Sequence, residues 1–404
     1  MTLAERLTAA PVPTGPAPRR VRDTSPMKGF EPGVRADSDG SYLATTPDVL
    51  EMLGDESAWR EAVENLGIVV PAGWAVRLVE MRYDPAGWHR DAPEEKAVTR
   101  PVWRYRFKVE PAGPGSADIE ELIALTRAAT APAELPAAGP RAYVVAIGDT
   151  QFGKVDGDGL EGTIKRVLAS TEAAADRLAE LIDAGKGPEV VYICWLGDCI
   201  EGFVSQGGGN AWRTPTTLTE QVRIVRRLML QQIDVFRELA PKVVLLSIPG
   251  NHDEAVRFGK QTTRYDDSWA VEAAVSVSDA MEINPEAYGH CSVKVPGRDE
   301  LTLTIDMAGT IVGLAHGHQM RAGKAHEWWA GQAHGLQPIG EAVLLLTAHF
   351  HHLVIERPGY KTWIQIPAME HSSVWWRHLK GQVAPHGIVT MLVGGGGWSD
   401  LQVV

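Results

Sequence analysis

The sequence predicts an α/β protein, a layered mixed β-sheet domain preceded by a small α+β domain. Three observations lead there. Apolar strand-like runs alternate with amphipathic helical stretches from residue 141 onward. The pattern then changes to consecutive strands. The first 110 residues have a separate rhythm of one helix and two alternating strands. Alternation of strand and helix argues for a sheet covered on both faces.

Residues 1–40 are rich in Pro, Gly, Ala and charge, with little hydrophobic periodicity, and read as a flexible arm. Residues 41–110 form the small α+β domain. Leu50, Leu53, Trp59, Val63 and Leu66 recur at helical spacing, and 74–83 and 102–110 alternate like strands. Residues 111–140 place a short helix between Pro/Gly/Ala-rich stretches and read as a linker. Residues 141–404 carry the larger domain. RAYVVAIGD, VVYICWLGD and KVVLLSIPGNHD are strands ending in polar residues. Between them Ile164, Val167, Leu168, Leu178, Leu181 and Ile182 stripe one helix, and Leu218, Val222, Val225, Leu228, Met229 and Phe236 a second. LTLTIDMAGTIVGLAHG reads as a hairpin, with further strands at HLVIER, KTWIQI and IVTMLV.

At 404 residues with 44% hydrophobic content, the chain can bury an ordinary core without staples. Its formal charge of −12 argues against a broad phosphate-coating surface. A locally positive cleft stays open, because bound cations would supply the charge there. Cys194, Cys199 and Cys291 are odd in number and fit no zinc ribbon, so they read as buried apolar residues. The N-terminus lacks the apolar core of a secretory signal, and no apolar run reaches membrane-spanning length. The expectation is a cytoplasmic protein without membrane partners.

The chemistry sits at strand ends. Asp149 follows one apolar strand, Asp198 a second, and Asn251 with His252 a third. In an open α/β sheet the C-terminal strand ends share one crevice, so distant positions converge. His316 and His349, His351 and His352 follow on later strands. If extended, His349 and His351 point to one face, two residues apart. Each piece is weak alone, since strand-end Asp and isolated His are common. The ordered set GDTQ, GDCIE, GNHD, HGH and HFH is not.

That set resembles the signature blocks of the calcineurin-like metallophosphoesterase superfamily. Within it the chain is similar to the nuclease subunits of double-strand-break repair complexes and their phage-encoded relatives. The resemblance covers about residues 141–395 and leaves the first 140 unmatched. It implies Asp149 and His351 on a first metal, Asp198 bridging two metals, and Asn251, His316 and His349 on the second. It implies His252 as general acid or transition-state stabiliser, with Asp253 orienting it. One position departs from the pattern: Gln151 stands where the family has His, and is carried as a ligand through its amide oxygen. A carboxylate, amide and imidazole set without thiolate suits two divalent ions, Mn first, with Mg, Fe or Zn as alternatives.

Among neighbouring residues, Glu201 reads equally as a support for the site or a loop carboxylate, and Lys154 as a contact to substrate phosphate or, more simply, a solvated loop lysine. His318 competes with His316 for the same block. Asn210 and Arg213, in a Gly-rich loop after the second block, are candidates for substrate contact. Three functions follow: a DNA nuclease, exo- or endonucleolytic; a phosphatase or phosphodiesterase for phosphoproteins or small nucleotides, which the acidic charge favours; and a non-catalytic DNA-metabolism protein with a partly decayed site, for which only Gln151 speaks. The resemblance also implies a homodimer.

Overall fold

The computed structural model describes residues 30–36, 41–50, 52–53, 56–70, 74–89, 98–111, 119–132, 139–204, 214–258, 261–357, 359–371, 378 and 385–404. The chain forms two compact units, one spanning Ala9–Gly113 and one built on Pro114–Val404.

The N-terminal unit contains β1 (Gly33–Ala36), β2 (Tyr42–Thr45), α1 (Glu56–Glu64), β3 (Trp74–His89) and β4 (Val98–Pro111). Its sheet is antiparallel in the order β1-β2-β4-β3. Period-two alternation puts Trp74, Val76, Tyr105, Phe107 and Val109 on one face, packed against Val63 and Leu66. Arg104 is fully buried, and its guanidinium is met by the Asp48 carboxylate and the Phe30 carbonyl. Residues expected at the end of a flexible arm are therefore part of this unit: Phe30 is buried and 33–36 form the edge strand.

The second unit opens with α2 (Ile119–Ala128). This is the helix expected within a linker. It packs on the unit's core through the fully buried Leu122, and the Asn284 side chain donates to the Thr126 and Ala129 carbonyls. Then follow β5 (Gly139–Ile147), α3 (Gly159–Asp183), β6 (Pro188–Trp195), α4 (Leu218–Phe236) and β7 (Val243–Ser247). A short hairpin, β8 (Arg257–Phe258) and β9 (Gln261–Thr262), leads to α5 (Trp269–Glu282), α6 (Pro285–Tyr288) and β10 (Cys291–Lys294). Next come β11 (Thr302–Met307), β12 (Thr310–Ala315), α7 (Ala325–His334) and a 3-10 turn (Pro338–Glu341). The chain ends with β13 (Leu344–Thr347), β14 (Val354–Glu356), β15 (Thr362–Gln365), β16 (Val389–Gly394) and β17 (Gly397–Val403).

Besides the β8–β9 hairpin, the described residues form two larger sheets in this unit, ordered β10-β7-β6-β5-β16-β17 and β11-β12-β13-β15-β14. They pack face to face. Ala142, Val144 and Ala146 of β5 point inward to Val312, Leu314, Leu344, Leu346 and Ile364 of the second sheet. Tyr143, Val145 and Ile147 point the other way, onto α3, α4 and α5. On the far face of the second sheet, Trp329 of α7 and Ile339 cover Leu345 and Trp363. The layers are thus helix, sheet, sheet, helix, which accounts for the strands being apolar on both faces. Strands β5, β6, β7 and β10 run parallel in one sheet, and β12, β13 and β15 in the other.

Candidate metal centre

The strand ends place the site. Asp149 follows β5, Asp198 follows β6, Asn251 and His252 follow β7, His316 follows β12, and His349 and His351 follow β13. Nearly all of the expected ligands meet at this edge, drawn from both sheets.

The backbone there is unusual. Asp149 (φ 50°), Gln151 (φ 39°), Asp198 (φ 50°), His349 (φ 71°) and His351 (φ 60°) are all left-handed. Each such residue costs about 1–3 kcal/mol and persists only where its surroundings over-determine it. His349 and His351 are therefore not the extended, same-face pair expected from alternation. β13 stops at Thr347, and two left-handed residues aim the rings instead. The loops also meet too closely for side chains: a Cβ on Gly250 would lie 2.1 Å from the Asp198 backbone nitrogen.

Two groups of side chains converge. In the first, the His316 Nε2 lies 3.1 Å from Asp198 Oδ2 and 3.2 Å from His349 Nδ1. Ligand atoms about 2.1 Å from one ion sit about 3.0–3.5 Å apart, so this trio has metal-binding spacing. The His316 Nδ1–H donates to the Leu196 carbonyl at 2.7 Å, which leaves Nε2 as the ring nitrogen facing Asp198. In the second group, Asp149 Oδ1 has His351 Nε2 at 3.4 Å. The other Asp149 oxygen accepts from the His349 backbone N–H at 2.8 Å. The His351 Nδ1–H donates to Glu370 Oε1 at 3.0 Å, so its Nε2 is also left for coordination.

Electrostatics follow from this packing. Burial opposes charge on His316, but the Asp198 carboxylate overcomes it and raises the imidazole to about 9. Burial also opposes charge on His351, and Asp149 with Glu370 raises it to about 10. His349 moves the other way, to about 4, through burial and the neighbouring His316. Against the pull of burial, the adjacent imidazoles hold Asp149 and Asp198 below the usual carboxylate range.

A family model described as calcineurin-like phosphoesterase matches residues 142–353, more than half of the chain. The chain belongs to the calcineurin-like phosphoesterase family. It is accordingly a metal-dependent hydrolase of phosphoester bonds, in a family whose centres are dinuclear. No curated protein sequence matches the chain. Among solved structures, it is similar to a conserved predicted phosphoesterase from Streptococcus pneumoniae TIGR4, at 11% identity and TM-score 0.29, covering 66% of this chain and 91% of that one. A novel archaeal phosphodiesterase is 13% identical, with TM-score 0.29 and coverage of 65% and 99%. Wild-type Vps29 complexed with zinc, from Entamoeba histolytica, is 16% identical, with TM-score 0.29 and coverage of 65% and 98%.

The donor set fits the metal pair that this phosphoesterase family uses. Asp149 Oδ1 and Asn251 Oδ1 are buried oxygens that accept no hydrogen bond from the described residues. A buried acceptor left so is costly unless a cation takes its place. Asp149, Asp198 and His351 would hold one ion, and Asp198, Asn251, His316 and His349 the other. Hard oxygen and imidazole donors without thiolate suit divalent ions of the first transition row and Mg.

Asp253, Glu201 and Gln151 have specific partners beside this centre. Asp253 does not orient His252. Its carboxylate is fully buried and accepts from the backbone N–H groups of Cys199 (2.9 Å), Ile200 (3.2 Å) and Gly250 (2.9 Å), tying the second and third loops together. Burial, reinforced by the Asp198 charge, raises it to about 7. Instead, Glu201 orients His252. The Glu201 carbonyl takes the His252 Nδ1–H at 2.8 Å, and its carboxylate lies 3.6 Å from the same nitrogen. Gln151, carried as a ligand, has its amide oxygen on Lys154 Nζ at 3.1 Å and its amide nitrogen 3.5 Å from His252 Nε2.

Between the competing histidines, His316 is central and His318 lies behind it, ring centroids 5.5 Å apart. His352 is exposed and bonds to Gln365. Asn210 and Arg213 lie outside the described residues. Glu370 was not singled out from sequence. The available signal was its place after β15, the third parallel strand ending at this edge. Lys154, read as a solvated loop lysine, instead pairs with Glu370 at 2.8 Å. Cys194 and Cys199 are buried and unbridged, as small apolar residues. No helix among the described residues is long and apolar enough to cross a membrane.

Proposed function

We propose that this centre hydrolyses phosphodiester bonds in DNA, as an exonuclease or endonuclease, with two manganese ions. The observation that carries the reading is the place of His252. Its Nε2 lies 4.0 Å from Asp198 Oδ2, beside the group expected to bridge the ions. A diester leaves as an alkoxide, and a proton donor at this position answers that need. When bound, the metal pair supplies positive charge that polarises the phosphoryl oxygens and lowers the pKa of the attacking water. Asp149, Asp198, Asn251, His316, His349 and His351 would hold and space that charge. His252 delivers a proton from Nε2 to the leaving oxygen, while Glu201 holds its Nδ1–H and fixes the ring. No protein nucleophile is required.

The likeness of the five motifs to those of repair nucleases supports DNA as substrate, and a cytoplasmic homodimer belongs to the same reading. The formal charge of −12 favours a second reading, a phosphatase or phosphodiesterase for phosphoproteins or small nucleotides. The test is incubation with Mn²⁺ and linear duplex DNA, single-stranded DNA or bis-p-nitrophenyl phosphate, beside His252→Ala and Asp198→Ala. DNA cleavage lost in both variants is the expected result. Turnover of the small diester without DNA cleavage refutes the nuclease reading.

A further inference from the structure

We propose that Gln151 is not a metal ligand but a positioning residue, locked by a Lys154–Glu370 pair that also fixes His351 as the sole imidazole, among the described residues, of the first metal site. The inference rests on the two-metal reading and is independent of whether DNA is the substrate.

The geometry is specific. An ammonium has only donors, so the Gln151 atom 3.1 Å from Lys154 Nζ is the amide oxygen. That oxygen is then committed, and the NH2 group faces His252 Nε2 at 3.5 Å. Once His252 has delivered its Nε2 proton, that nitrogen carries a lone pair that can accept from this amide, while the Nδ1–H stays on the Glu201 carbonyl. Lys154 is itself tethered. Its backbone N–H donates to the Gln151 carbonyl at 3.0 Å, and its ammonium pairs with Glu370 at 2.8 Å.

Glu370 is the anchor. It is 3% exposed, and its Oε1 receives both Lys154 and the His351 Nδ1–H. Its backbone N–H donates to the Asp149 carbonyl at 3.0 Å, and Arg166 holds the preceding Met369 carbonyl at 2.7 Å. The carboxylate therefore cannot drift from the ring it orients. A continuous path runs His351–Glu370–Lys154–Gln151–His252. It joins a ligand of the first ion to the proposed proton donor, through the one position where the chain departs from the family motif. A histidine at 151 would add a ligand. Glutamine, with its oxygen taken by Lys154, leaves Asp149, Asp198 and His351 as the protein ligands and offers an N–H donor instead.

The test measures Mn²⁺ binding calorimetrically, and by the electron paramagnetic resonance of the coupled ion pair, without substrate. Wild type, Gln151→Ala and Glu370→Gln are compared. Gln151→Ala is expected to keep both ions, each within about threefold of wild-type affinity, while kcat on bis-p-nitrophenyl phosphate falls at least tenfold. Glu370→Gln is expected to lose about 10–100-fold in affinity for one ion only and to weaken the coupled signal. A tenfold or greater loss of either ion in Gln151→Ala overturns the assignment, as does unchanged kcat in that variant or unchanged metal affinity in Glu370→Gln. Should Glu370→Gln fail to fold, long-range nitrogen–proton correlations on zinc-loaded wild type decide. A proton on His351 Nδ1 is expected, and its absence overturns the role of Glu370. Because no DNA is present, failure of the nuclease reading leaves these outcomes unaffected.

Discussion

Replacing Gly250 by alanine adds one methyl group and removes no ligand, yet it should disable the centre. The new Cβ would sit 2.1 Å from the Asp198 backbone nitrogen and 2.2 Å from Asp198 Oδ1. Ordinary contacts begin at 3.4 Å, so the second and third loops must part by more than an ångström. Neither neighbour is a flexible side-chain tip: one is backbone, and the other is the carboxylate expected to bridge the ions. The Gly250 φ lies outside the left-handed region, so the effect is steric alone. Overpacking of this kind costs about 1–3 kcal/mol of stability. A displacement of about 1 Å at a catalytic group costs on the order of 10²-fold in rate. The parting also pulls Asn251 from Asp198 and strains the Asp253 bond to the Gly250 N–H. The assay pairs thermal unfolding with manganese content and kcat on bis-p-nitrophenyl phosphate. A melting temperature lowered by several degrees, a substoichiometric metal load and a rate down by about a hundredfold are expected. Wild-type turnover with full metal content refutes the account of these loops.

Asp253→Ala leaves three buried N–H groups without their acceptor, each costing about 1–3 kcal/mol. Removing a carboxylate that burial has raised to about 7 returns part of this, so a net loss of about 2–4 kcal/mol is expected in denaturant titration. A neutral result refutes the bracing role. In metal-free protein, His316 and His351 stand at about 9 and about 10 against 6.5 when unfolded. Their stabilising contribution is therefore complete below about pH 6.5 and lost as pH rises through those values. Metal must displace the same protons, so the melting-temperature gain on adding Mn²⁺ grows from pH 6.5 to 9, and a pH-independent gain counts against these shifts. Gly331 sits in α7 with open space where a Cβ would go, so Gly331→Ala should stabilise by about 0.5–1 kcal/mol and leave turnover unchanged, both read on the same samples.

Much of this centre was legible because its residues sit directly after apolar strands. Asp149, Asp198, Asn251, His252 and His316 each follow a run whose apolar character alone marks it as a strand, and parallel strands carry their ends to one edge. Local pattern was less use where the backbone departs from regular structure. His349 and His351 looked like alternating strand residues, and only the left-handed turns show how they are aimed. Glu370 also follows a parallel strand, β15, but several residues past its end, so the strand pattern points to it less directly than to Asp149 or Asp198.

By itself, the sequence determined the strand-helix rhythm, the two-part organisation and the types of donor available, because periodicity and side-chain chemistry are local properties. Tertiary structure alone decided which donor faces what. Asp253 was free by sequence to orient His252, and packing turned it to three backbone N–H groups instead. Gln151 offers an amide oxygen by sequence, and folding sets that oxygen 3.1 Å from the Lys154 ammonium. The physical reason is common to both. A hydrogen-bonding group satisfies the partners that folding brings within 3 Å or so, whether these lie three positions away, as Lys154 and Gly250 do, or more than fifty, as Cys199 and Ile200 do.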